Sequence, residues 1–84
     1  MRTRDPDIVA AELAAARSTM PRGTRVRSRF NPAHVGTVAW HWSACDAGTV
    51  NALIEWDHLP VDRDGIRGRI YQRFGNVETI NDTP

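Results

Sequence analysis

The sequence predicts a mainly β fold, a small five-stranded antiparallel barrel preceded by one N-terminal α-helix. Its 84 residues are enough for one domain with a small core. The hydrophobic fraction of 40% and the charged fraction of 25% are typical of a globular chain. Beyond residue 23, apolar side chains recur at every second position in short runs that turn residues separate. This period indicates half-buried β-strands.

The first residues carry the features of a helix over 6–19. Asp5 can cap its first turn, and Pro6 suits the first helical position. Apolar residues follow at helical spacing until a proline and a glycine end the pattern. We therefore divide the chain into a helical segment, 1–21, and a barrel, 22–84.

The apolar face of this helix is narrow, and it includes Val9, Leu13 and Met20. A narrow face leaves two alternatives open. The helix packs against its own domain, or it meets a partner, for which a homodimer through these three residues is one possibility.

Five short strands follow the helix. They are predicted over 24–30, 36–42, 49–57, 69–74 and 76–80. An antiparallel sheet of this size usually curls into a barrel, because closure removes exposed strand edges. The alternation predicts a core of Val26, Phe30, Val38, Trp40, Ile54, Trp56, Ile70 and Ile80.

The strands carry four short motifs, which are GTRV (23–26), HVGTV (34–38), ALIEWD (52–57) and VETI (77–80). Together they resemble the small SH3-like barrels, above all the Tudor-like and KOW-type modules, over residues 22–81. The resemblance implies a module that binds RNA, DNA, ribosomes, RNA polymerase or peptide segments and does not catalyse. In some Tudor modules an aromatic cage holds methyl-lysine, for which Trp42, Trp56 and Tyr71 are the candidates here.

The sequence offers little chemistry of the catalytic or metal-binding kind. His41 and Cys45 have three residues between them, but no second pair of zinc ligands follows. Cys45 also lacks an evident orienting group or oxyanion hole. A domain this small leaves little room for a substrate pocket of about 300 Å³ or more. We therefore expect no enzyme, no catalytic residue, no metal and no cofactor.

Arginine supplies all 11 basic residues, and Arg25, Arg27 and Arg29 alternate along one predicted strand. Such a row can contact phosphates, and nearby aromatic rings can stack on bases. Two further interpretations stay open: a face that cross-strand acids such as Glu55, Asp57 and Glu78 neutralise, and a protein interface. The candidate binding residues are Arg25, Arg27, Arg29, Trp42, Arg67, Arg69, Tyr71 and Arg73.

The balance of charge favours a protein partner over nucleic acid. Net charge is only +1, and the isoelectric point near 8.0 lies below the strongly basic range of nucleic-acid-binding domains. We therefore predict a small non-enzymatic module for protein–protein interaction, with nucleic-acid binding through the arginine face as the alternative.

The setting of the protein can also be predicted. The arginine and alanine bias favours a GC-rich source, such as an actinobacterium or one of its phages, so an accessory factor acting on a host machine is one form of this function. The single cysteine and the lack of a signal-peptide pattern or a long apolar run predict a cytoplasmic chain without a membrane partner.

Overall fold

The computed structural model describes residues 4–45 and 48–80. In these residues one helix, α1 (Pro6–Thr19), precedes six strands of one antiparallel sheet. The strands are β1 (Arg25–Ser28), β2 (Val35–Val38), β3 (Ser43–Ala44), β4 (Val50–Trp56), β5 (Arg69–Arg73) and β6 (Val77–Thr79). The mainly β class with one helix is confirmed. The five-stranded barrel is not, because the strands number six and the sheet does not close.

The predicted bounds of the helix are confirmed. The side chain of Asp5 accepts a hydrogen bond from the backbone N–H of Asp7 at 2.8 Å, and Pro6 is the first helical residue. Ala16 and Met20 are buried, and Val9 and Leu13 pack against the core. The helix therefore lies against its own sheet, where it contacts β3 and β4.

The sheet runs in the order β3-β4-β2-β1-β6, and β5 pairs with β4 on the side away from β2 and β3. Four strand-to-strand steps separate β5 from β6, which in a flat sheet would amount to about 19 Å. The turn Phe74–Asn76 joins these two strands through four Cα–Cα steps, which span at most about 15 Å. The sheet must therefore curl strongly around its core, although β5 and β6 do not pair within the described residues.

The predicted core is partly confirmed. Val26, Val38, Ile54 and Trp56 are buried, and Ile80 is half-buried. The alternation along β4 is kept throughout, since every second residue from position 50 to position 56 is buried. The remaining core members lie outside the predicted set; they are Ala16, Met20, Trp42, Val50, Ala52 and Val77.

Three core predictions are wrong, because Phe30, Trp40 and Ile70 are exposed by 78%, 49% and 50%. Phe30 lies beyond the end of β1, and Trp40 lies beyond the end of β2. Ile70 belongs to β5, which pairs with β4 alone in the described part of the chain, so its side chain lies at the margin of the core. The predicted strand over 36–42 is too long, because β2 ends at Val38, residues 39–42 form a break, and β3 begins only at Ser43.

Trp42 is the last residue of that break and is completely buried. Its indole Nε1–H donates to the backbone carbonyl of Met20 at 2.7 Å, and its own carbonyl accepts from Arg17 Nε at 3.1 Å. The ring of Phe74 meets the indole edge-on, with centroids 5.5 Å apart. One side chain thus joins the end of the helix, the sheet and the turn before β6.

Gly36 allows the closest approach of β2 to β4. A Cβ atom at this position would lie 2.6 Å from the carbonyl oxygen of Glu55 and 2.9 Å from Cγ2 of Ile54. Both distances are shorter than van der Waals contact permits, so only glycine fits without a shift of the backbone.

We expect Gly36→Ala to lower the free energy of unfolding by about 1–3 kcal/mol, since the added methyl overpacks a buried site. Urea denaturation followed by circular dichroism measures the change. Gly75→Ala is the matched control, because a Cβ there meets nothing within 4 Å and the backbone φ is not positive. Equal midpoints for the two variants would contradict the prediction.

We expect Trp42→Phe to lower the free energy of unfolding by about 1–3 kcal/mol, because the buried carbonyl of Met20 loses its donor. The exposed Trp40 provides the control, and Trp40→Phe should stay within about 0.5 kcal/mol of the parent. The same urea titration tests both variants. A Trp42→Phe protein as stable as Trp40→Phe would show that the hydrogen bond contributes nothing.

Candidate binding surface

The outer face of the curled sheet carries a row of polar residues across four neighbouring strands. Arg25 of β1 pairs with Thr37 of β2. Thr37 also pairs with Glu55 of β4, and Glu55 pairs in turn with Arg69 of β5. Cross-strand neighbours on one face lie about 4.5–5.5 Å apart at Cβ, so these side chains can interact directly. The register therefore brings two predicted arginines and a predicted acid together.

Arg25 is held by the strongest of these interactions. Its Nη1 donates to Oδ1 of Asp57 at 2.9 Å, and its Nη2 donates to Oδ2 of the same carboxylate. Nη1 also donates to the hydroxyl of Thr37 at 2.8 Å. The hydrogen bonds from Arg25 lower the pKa of Asp57 below its ordinary value, against a smaller opposing effect of desolvation.

Two further arginines face acids at longer distances. Arg27 Nε lies 3.5 Å from Glu78 Oε1, and Arg69 Nη2 lies 3.7 Å from Glu55 Oε2. The Arg27 contact has the distance of an ion pair but not the geometry of a hydrogen bond. Its buried Nε has no hydrogen-bond partner among the described atoms. Both contacts balance charge without fixing the side chains tightly.

Two more of the predicted arginines bind the backbone. Arg29 Nε donates to the carbonyl of Val77 at 3.3 Å. Arg67 Nη1 donates to the carbonyls of Asp57 and Leu59 at 2.9 and 2.8 Å, which fixes the loop after β4. Each therefore has a structural role that the sequence did not reveal.

The three candidate aromatic residues do not come together. Trp42 and Trp56 are core residues, whereas Tyr71 on β5 is 70% exposed. Trp42 therefore offers no surface to a ligand, and these three rings form no cage. Of the two tryptophans predicted for the core, Trp56 is buried and Trp40 is not.

Tyr71 and Arg73 lie at an open groove of about 540 Å³ on the same face. Asn51 of β4 and residues of the β3 hairpin complete it, and Asn51 Nδ2 donates to the hydroxyl of Thr49 at 2.9 Å. The thiol of Cys45 lies 2.6 Å from that hydroxyl. The hairpin and β5 thus form an open groove on the surface, outside the core.

A second groove, of about 480 Å³, runs between the helix and the β3 hairpin. Val9, Ala10 and Leu13 line it on one side, and Ala44 and Gly48 line it on the other. The apolar helix face is therefore divided between the core and this groove. Homodimerisation through Val9, Leu13 and Met20 stays a prediction, with Met20 itself buried.

The histidines are distributed over two places. The rings of His34 and His58 stack with centroids 3.9 Å apart, and His58 also lies near Trp56. His41 lies beside Trp40 instead, with ring centroids 5.1 Å apart. Among residues 4–45 and 48–80 no group of three or more His, Cys, Asp or Glu side chains could hold a metal ion.

Comparison with known proteins identifies no relative of this chain. No protein-family model, curated protein or solved structure matches the chain. The similarity to SH3-like modules therefore stays a prediction. In the described part of the chain, no helix has both the length and the apolar character needed to cross a membrane.

We expect Asp57→Asn to lower the free energy of unfolding by about 0.5–1 kcal/mol near pH 7, the range of a half-exposed ion pair. The folded state lowers the pKa of this carboxyl, so the ionised group stabilises the fold above the unfolded pKa of about 3.9. That contribution is lost as pH falls through the folded pKa.

Urea titrations of parent and variant between about pH 7 and pH 2 should therefore show a difference that shrinks toward low pH. Asp64→Asn is the control, since Asp64 makes no ion pair with any described residue. A difference that is constant over this range would contradict the role assigned to Asp57.

Proposed function

We propose that the protein is a small non-enzymatic binding module of SH3-like type, which acts by protein–protein interaction. The observation that carries this proposal is the neutralisation of the arginine row. Arg25 and Arg27, on the inner strand β1, each face a carboxylate of a neighbouring strand or loop. A phosphate backbone would have to displace these acids, whereas a protein surface can match mixed charges.

The shape of the sheet supports the SH3-like part of the proposal. The last strand, β6, pairs with the first strand, β1, and a turn of three residues connects β5 to β6. The two edges of the sheet are thus drawn toward each other, as the resemblance to small barrels implies. A cytoplasmic setting belongs to the same proposal, which the single Cys45 supports.

The exposed side chains support a protein partner. Tyr71, Ile70 and Trp40 are each at least 49% exposed, and aromatic residues and arginine are enriched in protein interfaces. The guanidinium carbon of Arg22 lies 5.1 Å from the ring centroid of Trp40. This contact holds the exposed indole in place at the surface.

A second function is favoured by one observation. Tyr71 and Arg73 line the same groove, so a base stacked on the ring could place its phosphate near the guanidinium. Single-stranded nucleic acid is therefore the competing ligand that the experiment must distinguish.

The test combines two measurements on the full chain. A photo-crosslinking amino acid replaces Tyr71 in the cells that make the protein, and the same amino acid at the exposed Arg63 is the control. In parallel, labelled DNA and RNA, single-stranded and duplex, are titrated at about 50 mM and 200 mM salt. We expect discrete protein adducts from position 71 alone and no nucleic-acid binding tighter than about 10 μM at the higher salt.

The opposite pattern would overturn the proposal. Micromolar binding of nucleic acid that weakens steeply with salt and is lost in Arg73→Ala, together with no specific protein adduct, would assign the groove to nucleic acid.

A further inference from the structure

Strand β5 has one free edge, since β4 is its only strand partner among residues 4–45 and 48–80. The backbone N–H of Trp56 donates to the carbonyl of Gly68 at 3.1 Å. In an antiparallel ladder every second residue exchanges hydrogen bonds with its partner strand. Ile70 and Gln72 therefore direct their backbone polar groups toward β4.

The intervening residues Arg69, Tyr71 and Arg73 direct their backbone N–H and C=O groups to the free edge. A side-chain contact supports this assignment of the backbone directions. The N–H of Arg73 donates to Oε1 of Gln72 at 3.2 Å, so a side chain takes the place of a neighbouring strand there. The backbone of Arg69 and Tyr71 is left to pair with a strand from outside.

The side chains along this edge have a definite pattern. Arg69, Tyr71 and Arg73 lie on the outer face, and Ile70 and Gln72 lie on the core side. Arg73 makes no ion pair with a described acid, and Arg69 has only the 3.7 Å contact with Glu55. An incoming strand therefore meets two arginines on either side of an aromatic ring, with the half-exposed Ile70 behind them.

This pattern opposes pairing with a second copy. If β5 of a second molecule paired antiparallel with this edge and was centred on Tyr71, Arg69 of each molecule would lie directly opposite Arg73 of the other. Like charges directly opposite each other destabilise a strand pair. The same two charges favour a strand that carries acids at the corresponding positions.

We propose that the free edge of β5 binds an extended acidic segment of a partner protein, which adds to the sheet as an antiparallel strand. Backbone hydrogen bonds to Arg69 and Tyr71 supply sequence-independent affinity. The central residue of the partner segment is apolar and covers Tyr71. A carboxylate two positions before it lies opposite Arg73, and a carboxylate two positions after it lies opposite Arg69. A second apolar residue, next to the centre, covers Ile70. This proposal rests on the proposed function, because it names the partner's chemistry.

The pattern specifies a probe peptide, Ser-Glu-Thr-Val-Ile-Glu-Ser, and a control in which both Glu residues are Lys. Fluorescence anisotropy with the full chain measures binding of each. We expect the acidic peptide to bind at least about tenfold more tightly than the basic one, since both arginines change from attraction to repulsion. Equal affinities would overturn the proposal.

Variants of exposed arginines test whether Arg73 contacts a carboxylate of the peptide. Arg73→Glu should lower the affinity for the acidic peptide about tenfold. Arg63→Glu makes the same change in net charge and should change that affinity less than about twofold. A peptide whose first Glu alone is Lys should regain affinity for Arg73→Glu. Because this rescue requires the register above, its failure would overturn the antiparallel arrangement.

Amide hydrogen exchange tests the backbone contact. The acidic peptide should slow exchange at the N–H groups of Arg69 and Tyr71, which point to the free edge, with little change at Ile70, whose N–H already faces β4. Peptide binding without this protection would place the ligand elsewhere and overturn strand addition.

The two proposals can fail separately. Protein adducts from position 71 with no binding of the acidic peptide would overturn strand addition and leave the protein-binding function standing. Protection of Arg69 and Tyr71 by single-stranded RNA or DNA, without protein adducts, would overturn both.

Discussion

The burial of Trp42 is the interaction on which the rest of the structure depends. Its indole meets the end of α1 through the carbonyl of Met20, and it contacts Phe74 in the turn that leads to β6. A domain of this size has a small core, so one large side chain supplies much of its apolar contact. The helix, the break between β2 and β3, and the turn before β6 are thereby fixed relative to one another.

The curl of the sheet separates two kinds of arginine. Those on β1 lie on an inner strand, between β2 and β6. Carboxylates of neighbouring elements are within reach there, and they balance Arg25 and Arg27. Arg73 lies on β5 beside an open groove and makes no ion pair with an acid among residues 4–45 and 48–80. The same residue type thus contributes to the fold at one position and presents charge to solvent at another.

Local signals made the helix and β4 predictable. Asp5 and Pro6 define the start of the helix through contacts a few residues long, and β4 keeps one alternation over its whole length. The face of Trp40 was predicted wrongly because the alternation crosses a break in the strand, which no local signal marks. The acids beside the arginines could be anticipated, but their pairing could not, since register and strand order depend on distant residues. The free edge of β5 was hidden for the same reason.

The pairing of β1 with β6 has a consequence for the protein during its synthesis. Val26 pairs with Thr79, so one side of β1 stays open while roughly 50 further residues are added, which takes about 3–10 s at about 5–20 residues per second. An unpaired strand of a nascent chain is a site for association with other chains. Arg25 and Arg27 are side chains of the kind that discourages such contacts. We therefore expect the arginines that balance acids in the finished sheet to disfavour such association during synthesis, before Glu78 has been added.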